Sequence, residues 1–592
     1  MKSKHILYTG LIILTGIISS CKKNDLLNQI PPTALTQESF WNTPNDLRLY
    51  VNNLYSVFPL YGGFGNLGIY SIDGNSDNMI TQSPNARLNG ALTVNNGAAG
   101  ADWVNIRNAN YFLANYKKAV GNATEINKYL GEAYFFRAFL YFNAVRSLGD
   151  LQWINKPLNI DDEQFIYSPR LPRNVVVDSI VNDLDRAITN LPLKRNAESQ
   201  RIHKEFAMGL KARICLFEGT WEKYHAGTAF GVANSNGDKY LNLAQTTAKA
   251  IMDLNSLQLD NIASGAVDGY FNLFNQVSYA GSGEIMFWGA YNQTAGIITN
   301  WQNYYQEGSS GGGSIGLSKS LVDDYLCTDG KPISVSANYK GDLTLANIVQ
   351  NRDPRLRQSI FINNDVVVRN VGGTNNPRIF TYPALLAGSP NTSGFQIKKG
   401  LNTDFYQDSR NGLGGTDGVI YMRYAEILLI YAEAKAELGT FNQNDADISI
   451  NLLRRRVGMP NLNVSDIAID SKWLFPALSP IINEVRRERR VELACEGHRF
   501  FDIVRWAAAP QTIVGKHPLG AKVTEFVGAI PNLRVGTNVF VDQNDYIKPY
   551  GNIAGIKDAG YSFRVNRDYL LAVPVTEINK NPTVLKQNPG WN

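Results

Sequence analysis

Cysteine is scarce in this chain. Four occur among 592 residues, Cys21, Cys215, Cys327 and Cys495, and none forms a CxxC pair, so no disulfide framework is expected. Histidine is nearly as rare, with five in all. His498 lacks the second histidine four residues on that an HExxH zinc site requires, and no metal site or cofactor is expected. Charged residues make up 18% and the formal net charge is +5, without a concentrated basic run. Nucleic acid is therefore not an expected partner. There is no GxSxG elbow, no P-loop and no GxGxxG opening a helix after a strand, which removes the common signatures of hydrolases and nucleotide-binding enzymes. The apolar run from Ile6 to Ile18 is too short to span a bilayer.

That run has the form of an export signal instead. Lys2 and Lys4 form a basic head, and Ile18-Ser19-Ser20-Cys21 closes the segment as a lipobox, cleaved before Cys21 and lipidated on its thiol. Polar residues from Lys22 to Asn28 and then Pro31-Pro32 read as an extended tether. The expected organisation is a signal peptide over 1–20, a lipidated tether over 21–35 and one domain over 36–592, hung from a membrane by acyl chains. With Cys21 lipidated three thiols remain. Cys215 and Cys495 fall in amphipathic helical patterns and read as small buried hydrophobes.

Aromatics are plentiful, 29 Tyr, 26 Phe and 9 Trp, and so are Asn- and Gly-rich stretches between helical ones. Steps of three and four predict helices over 102–120, 125–148, 174–191, 204–221, 241–254 and 424–438. A partner helix is expected over 445–457 and one long charged helix over 480–506. Trp103 lies on a helical stripe and reads as core. The helices come in pairs with small residues at close-packing positions, a degenerate tetratricopeptide-like repeat. The fold expected is mainly α: helix pairs forming a curved scaffold over about 36–255 and 420–507, a loop-rich insertion over about 256–419 and a loop-rich C-terminal part over 508–592.

Two loop clusters carry sugar-binding chemistry, an amphipathic ring for the C–H face of a pyranose beside amides and carboxylates for its hydroxyls. One holds Tyr61, Phe64 and Tyr70 with Asp73, Asn75, Asp77 and Asn78. The other holds Trp288, Tyr291 and Asn292, then Trp301, Asn303, Tyr304 and Tyr305 before a glycine run. Glu484, Glu488, Glu492 and Glu496 form a column at spacing four, which reads as an ion network fixing helix register, with Arg487 and Arg499 near enough to neutralise part of it. Residue counting leaves a glycosidase carboxylate pair open and singles out none.

Several ordered blocks resemble the SusD/RagB family of outer-membrane nutrient-binding lipoproteins. They are the Cys21 lipobox, Phe40-Trp41-Asn42-Thr43-Pro44, Gly131-Glu132-Ala133-Tyr134-Phe135-Phe136-Arg137-Ala138, Glu488-Arg489-Arg490-Val491-Glu492-Leu493, Glu496-Gly497-His498-Arg499-Phe500-Phe501-Asp502 and the terminal Gln587-Asn588-Pro589-Gly590-Trp591. The resemblance implies tetratricopeptide-like pairs with an elaborated loop face. It also implies a non-catalytic surface protein that catches oligosaccharides for a TonB-dependent SusC-like transporter. Its ordered blocks are scaffold in such relatives, so no binding residue transfers by motif. A peptide-binding member of the same architecture, a surface hydrolase and a purely structural transporter partner are the rivals.

Overall fold

Side-chain caps set where several of the helices begin. In the computed structural model, which describes residues 40–61, 68–260, 269–306, 313–408 and 414–591, the Asp46 N–H donates to the Thr43 hydroxyl at 3.3 Å. The Thr43 N–H donates back to the Asp46 carboxylate at 2.8 Å. This reciprocal box opens α1 (Pro44–Asn52). The signal, the Cys21 lipobox and the tether lie outside the described residues, as do Phe64 and most of the glycine run.

The helices α2 (Trp103–Asn115), α3 (Ala123–Leu148), α4 (Arg173–Asn190), α5 (Lys204–Tyr224), α6 (Asp238–Asp253) and α7 (Tyr424–Glu437) follow within a few residues of their expected bounds. Each packs on the next in chain order, so the pairs stack. Small residues permit this. A Cβ on Gly131 of α3 would stand 2.8 Å from Leu191 Cγ, at the end of α4. Phe136, Tyr141, Val145, Leu184, Leu210 and Ile427 lie in one continuous apolar core along the stack.

Two expected helices are broken. The segment 445–457 forms a short turn, Gln443–Asp447, and then α8 (Ile450–Arg456). The segment 480–506 forms α9 (Pro480–Glu492) and α10 (Arg499–Arg505). Between these last two, Cys495 and Gly497 take φ of 67° and 80°, left-handed values that no α-helix accommodates. Cys495 therefore sits in a turn, although it is buried, as are Cys215 and Cys327, all three free thiols.

The insertion is closed at its base by an antiparallel pair, β2 (Ile285–Gly289) with β6 (Val419–Arg423). Further out, β1 (Met79–Thr81) pairs with β3 (Ile315–Leu317), and β4 (Val366–Val368) with β5 (Arg378–Ile379). A second apolar core, including Tyr70, Trp301, Tyr305, Leu317, Phe361 and Phe395, fills the space between these pieces. Among the described residues no helix is long and apolar enough to cross a membrane.

Candidate functional site

The two aromatic loop clusters, some 230 residues apart in sequence, meet in space. Tyr61 packs its ring against Trp301 at 6.2 Å between centroids, and Tyr291 packs edge-on against the same indole at 5.8 Å. The Tyr61 N–H donates to the Tyr291 hydroxyl at 2.8 Å. One layer away, Tyr70 meets Tyr305 at 4.5 Å and Tyr304 at 6.0 Å. Tyr305 donates its hydroxyl to the Lys399 carbonyl.

This nest is mostly interior. Trp301 is 3% exposed and Tyr305 1%, and Tyr70, Tyr291 and Asn303 are also buried. Within the Trp301–Tyr305 group Tyr304 alone is partly exposed, and the tryptophan is not. The group's rings have found each other instead, because pooled apolar area is worth more buried than displayed. Tyr61 and Tyr304 are half-buried and form the nest's outward members. Trp288 is also buried. It sits in β2, not in a loop, and packs edge-on against Tyr279 at 5.6 Å.

The polar members of the first cluster turn away from the nest toward α9 and α10. The buried Asp73 accepts the N–H groups of Cys495 at 2.9 Å and Gly497 at 3.0 Å. Asp77 binds Arg499 at 2.6 Å and Arg490 at 3.0 Å. Its pKa is lowered because the pull of Arg490 and Arg499 outweighs the cost of burial. These carboxylates brace the scaffold, while Asn75 remains half-buried beside them.

The glutamate column is a buried ion network. Arg355 reaches Glu488 at 2.6 Å and Glu492 at 2.8 Å. Arg423 spans Glu284 at 2.9 Å, Glu492 at 2.6 Å and Glu496 at 2.7 Å. Arg454 takes Glu488 at 3.0 Å and Glu484 at 3.2 Å. Burial alone would lift the Glu492 carboxyl, but Arg456, Arg423 and Arg355 outweigh it and hold it well below the usual range. Most of the neutralising arginines come from distant segments, which a helical column cannot reveal. Arg487 does reach Glu484, at 3.0 Å, whereas Arg499 pairs with Asp77 and not with the column.

The tryptophan that does face solvent is one the helical stripe assigned to the core. Trp103 is 39% exposed. It is the first residue of α2, capped by the Asp102 carboxylate on the Asn105 N–H at 3.1 Å. A side chain in a helix's first turn leans past the end of its packing partner. The ring touches Tyr141 edge-on at 6.3 Å and walls a cleft of about 220 Å³ with Phe165, Ile166, Arg107, Gln152 and Lys156.

A stacked helical support, strand-closed loops and an aromatic nest where those loops meet define a class, and comparison places the chain in it. The model of the SusD family matches residues 284–591, and a model described as starch-binding associating with outer membrane matches residues 36–216. The protein belongs to the SusD family. SusD-like protein P2 of Formosa agariphila is 24% identical to it over 100% of both chains. SusD-like protein P38 of the same organism is 23% identical over 85% of this chain and 92% of its own. Among solved structures, a SusD-like protein from Bacteroides fragilis superposes with a TM-score of 0.70 at 22% identity, over 95% of this chain and 100% of its own. A SusD-like carbohydrate binding protein from the same species gives 0.69 at 20%, over 92% and 100%. A laminarin binding SusD-like protein gives 0.58 at 18%, over 93% and 100%. At these identities the likeness establishes the fold.

Proposed function

We propose that this protein is a non-catalytic glycan receptor. In this reading it is held on the outer face of the outer membrane by acyl chains on Cys21 and hands oligosaccharides to a TonB-dependent SusC-like transporter. The observation that carries the reading is the convergence of the two aromatic loops, with Tyr61 and Tyr304 as the outward rings of a rigid nest. Rigid aromatic faces bind sugar rings at low entropic cost, since little side-chain freedom is left to lose. The carbohydrate-binding and laminarin-binding descriptions of structural neighbours support the same ligand class.

The test is calorimetric titration of purified protein with laminarin, starch oligosaccharides and a set of peptides, with product analysis of each mixture. Saturable binding to a glycan without its cleavage is the expected result. Peptide binding alone would overturn the ligand class, and turnover would overturn the non-catalytic assignment. Mass spectrometry of the mature N-terminus tests the anchor, which requires a diacylated or triacylated Cys21.

A further inference from the structure

A cavity of about 230 Å³ lies between α3, α5, β6 and the turn leading into α10. Arg146, Arg213, Arg489, Arg505, His498 and Tyr61 line it, together with two carboxylates, Asp502 and Glu496, the latter paired with Arg423 and Lys399. Three of the cations around it are balanced. Arg213 grips Glu426 at 2.6 Å, Arg489 meets Asp502 at 2.9 Å, and Arg505 binds both Glu433 and Asp502. The fourth is not. Among the described residues Arg146 has no carboxylate within ion-pairing distance, and its one hydrogen bond there donates Nη2 to Asn143 Oδ1 at 2.7 Å. The guanidinium carbon lies over the Phe501 ring at 3.9 Å from its centroid and over the Phe142 ring at 5.0 Å. Its Nε is buried without an acceptor, and so is Nη1 of Arg489.

Arg146 is half-buried with its Nε sealed from solvent, and a cation partly withdrawn from water lacks compensation without a counter-ion, since water can accept a hydrogen bond but cannot balance the charge. Burial and the nearby Arg213 cation pull the Arg146 pKa down to about 9, still protonated at neutral pH. Burial also lowers the His498 pKa to about 4, so the imidazole adds no positive charge there. The unmet requirement is one negative charge presenting planar or tetrahedral oxygens to arginine forks.

We propose that this cavity is a binding site for a small oxyanion, a carboxylate or a sulfate, seated on Arg146 with Arg489 and Arg213 beside it. The assignment stands apart from the glycan reading, since it needs no neutral sugar. Two sources share the chemistry: a free inorganic ion and the acid group of a uronic sugar.

The purified protein is titrated at fixed ionic strength with sulfate, with glucuronate and with glucose, and its crystals are soaked in selenate to locate selenium by anomalous scattering. Saturable binding of sulfate or glucuronate, no binding of glucose, and selenium beside Arg146 are expected. Sulfate without glucuronate identifies the inorganic source, and glucuronate identifies the sugar-borne one. Arg146→Gln is expected to weaken binding by about tenfold or more, and Arg146→Lys by less, because a point charge replaces the fork. Absence of saturable binding for both anions, selenium located elsewhere, or unchanged affinity in a folded Arg146→Gln variant overturns the proposal. If that variant does not fold, the wild-type titration and the selenium position decide alone.

Discussion

The Asp73 carboxylate holds Gly497 in place: it accepts that residue's backbone N–H at 3.0 Å and, with its other oxygen, that of Cys495 at 2.9 Å. One side chain from the first loop thus satisfies two backbone donors exposed by the break between α9 and α10. Asp73→Ala would leave both donors buried and unpaired. The expected cost is about 2–4 kcal/mol, read as a lower urea midpoint. A loss under about 1 kcal/mol would mean that the break holds itself. Gly497→Ala should be comparably damaging. The backbone is left-handed there, and the new Cβ would stand 2.8 Å from Ile72 Cδ1.

Glu492 is the keystone of the ion network, and its removal should show it. Glu492→Gln takes one negative charge from among Arg355, Arg423 and Arg456 while keeping the side-chain volume. Arg456 would then keep only Glu284, which it shares with Arg423, in a dry interior. About 3–5 kcal/mol of stability is expected to be lost in equilibrium denaturation. A near-neutral result would indicate that water or another carboxylate takes its place.

Much of this fold is legible in the chain because local signals and burial agree. The stripe Leu130, Ala133, Tyr134, Arg137, Ala138, Tyr141, Phe142 and Val145 predicts the long helix α3, and its side chains are buried there apart from the half-buried Tyr134. The break after Glu492 is not legible. Helix propensity through Glu496 is good, and the interruption is fixed by Asp73, more than 400 residues upstream. The candidate site divides the same way. Composition marks the two aromatic segments, and they do come together. Periodicity says nothing of which rings face out, because that depends on what the rest of the chain brings over them. Trp301 is covered by Tyr61 and Tyr291, whereas Trp103, on a clean helical stripe, overhangs the end of its packing surface.

Stability should fall as pH rises from 5 to 7.5, in part through Asp417. Burial lifts this carboxyl to about 7, despite hydrogen bonds from Asn402 at 2.7 Å and Gln302 at 2.9 Å that favour its ionised form. A folded pKa above the unfolded one means that the native state retains the proton longer. Between about 4 and 7 the unfolded chain binds fewer protons, so unfolding becomes easier by up to about 1.4 kcal/mol per pH unit. In Asp417→Asn this contribution is absent. The stability difference between wild type and variant, measured by urea denaturation at pH 5, 6 and 7.5, should shift by roughly 2 kcal/mol against the wild type across the range. A difference that stays constant with pH would show that Asp417 does not titrate there.

Truncation of the aromatic nest should separate support from contact. Trp301 is 3% exposed and packs against both Tyr61 and Tyr291, so Trp301→Ala opens a cavity in the second core and should cost about 3–5 kcal/mol whether or not a sugar is present. Tyr304→Ala, alone or with Tyr61→Ala, removes rings that are half-buried and not fully enclosed, and should cost less stability. If these outward rings meet the ligand, the double variant stays folded while its glycan affinity falls by about tenfold or more, the scale of a lost stacking contact with its buried area. Trp103→Ala provides the contrast, since its ring is 39% exposed on the wall of a separate cleft over α2. Loss of affinity in Trp103→Ala with none in the double variant would move the glycan site from the loop face to that cleft. Loss in neither would remove both surfaces from the reading.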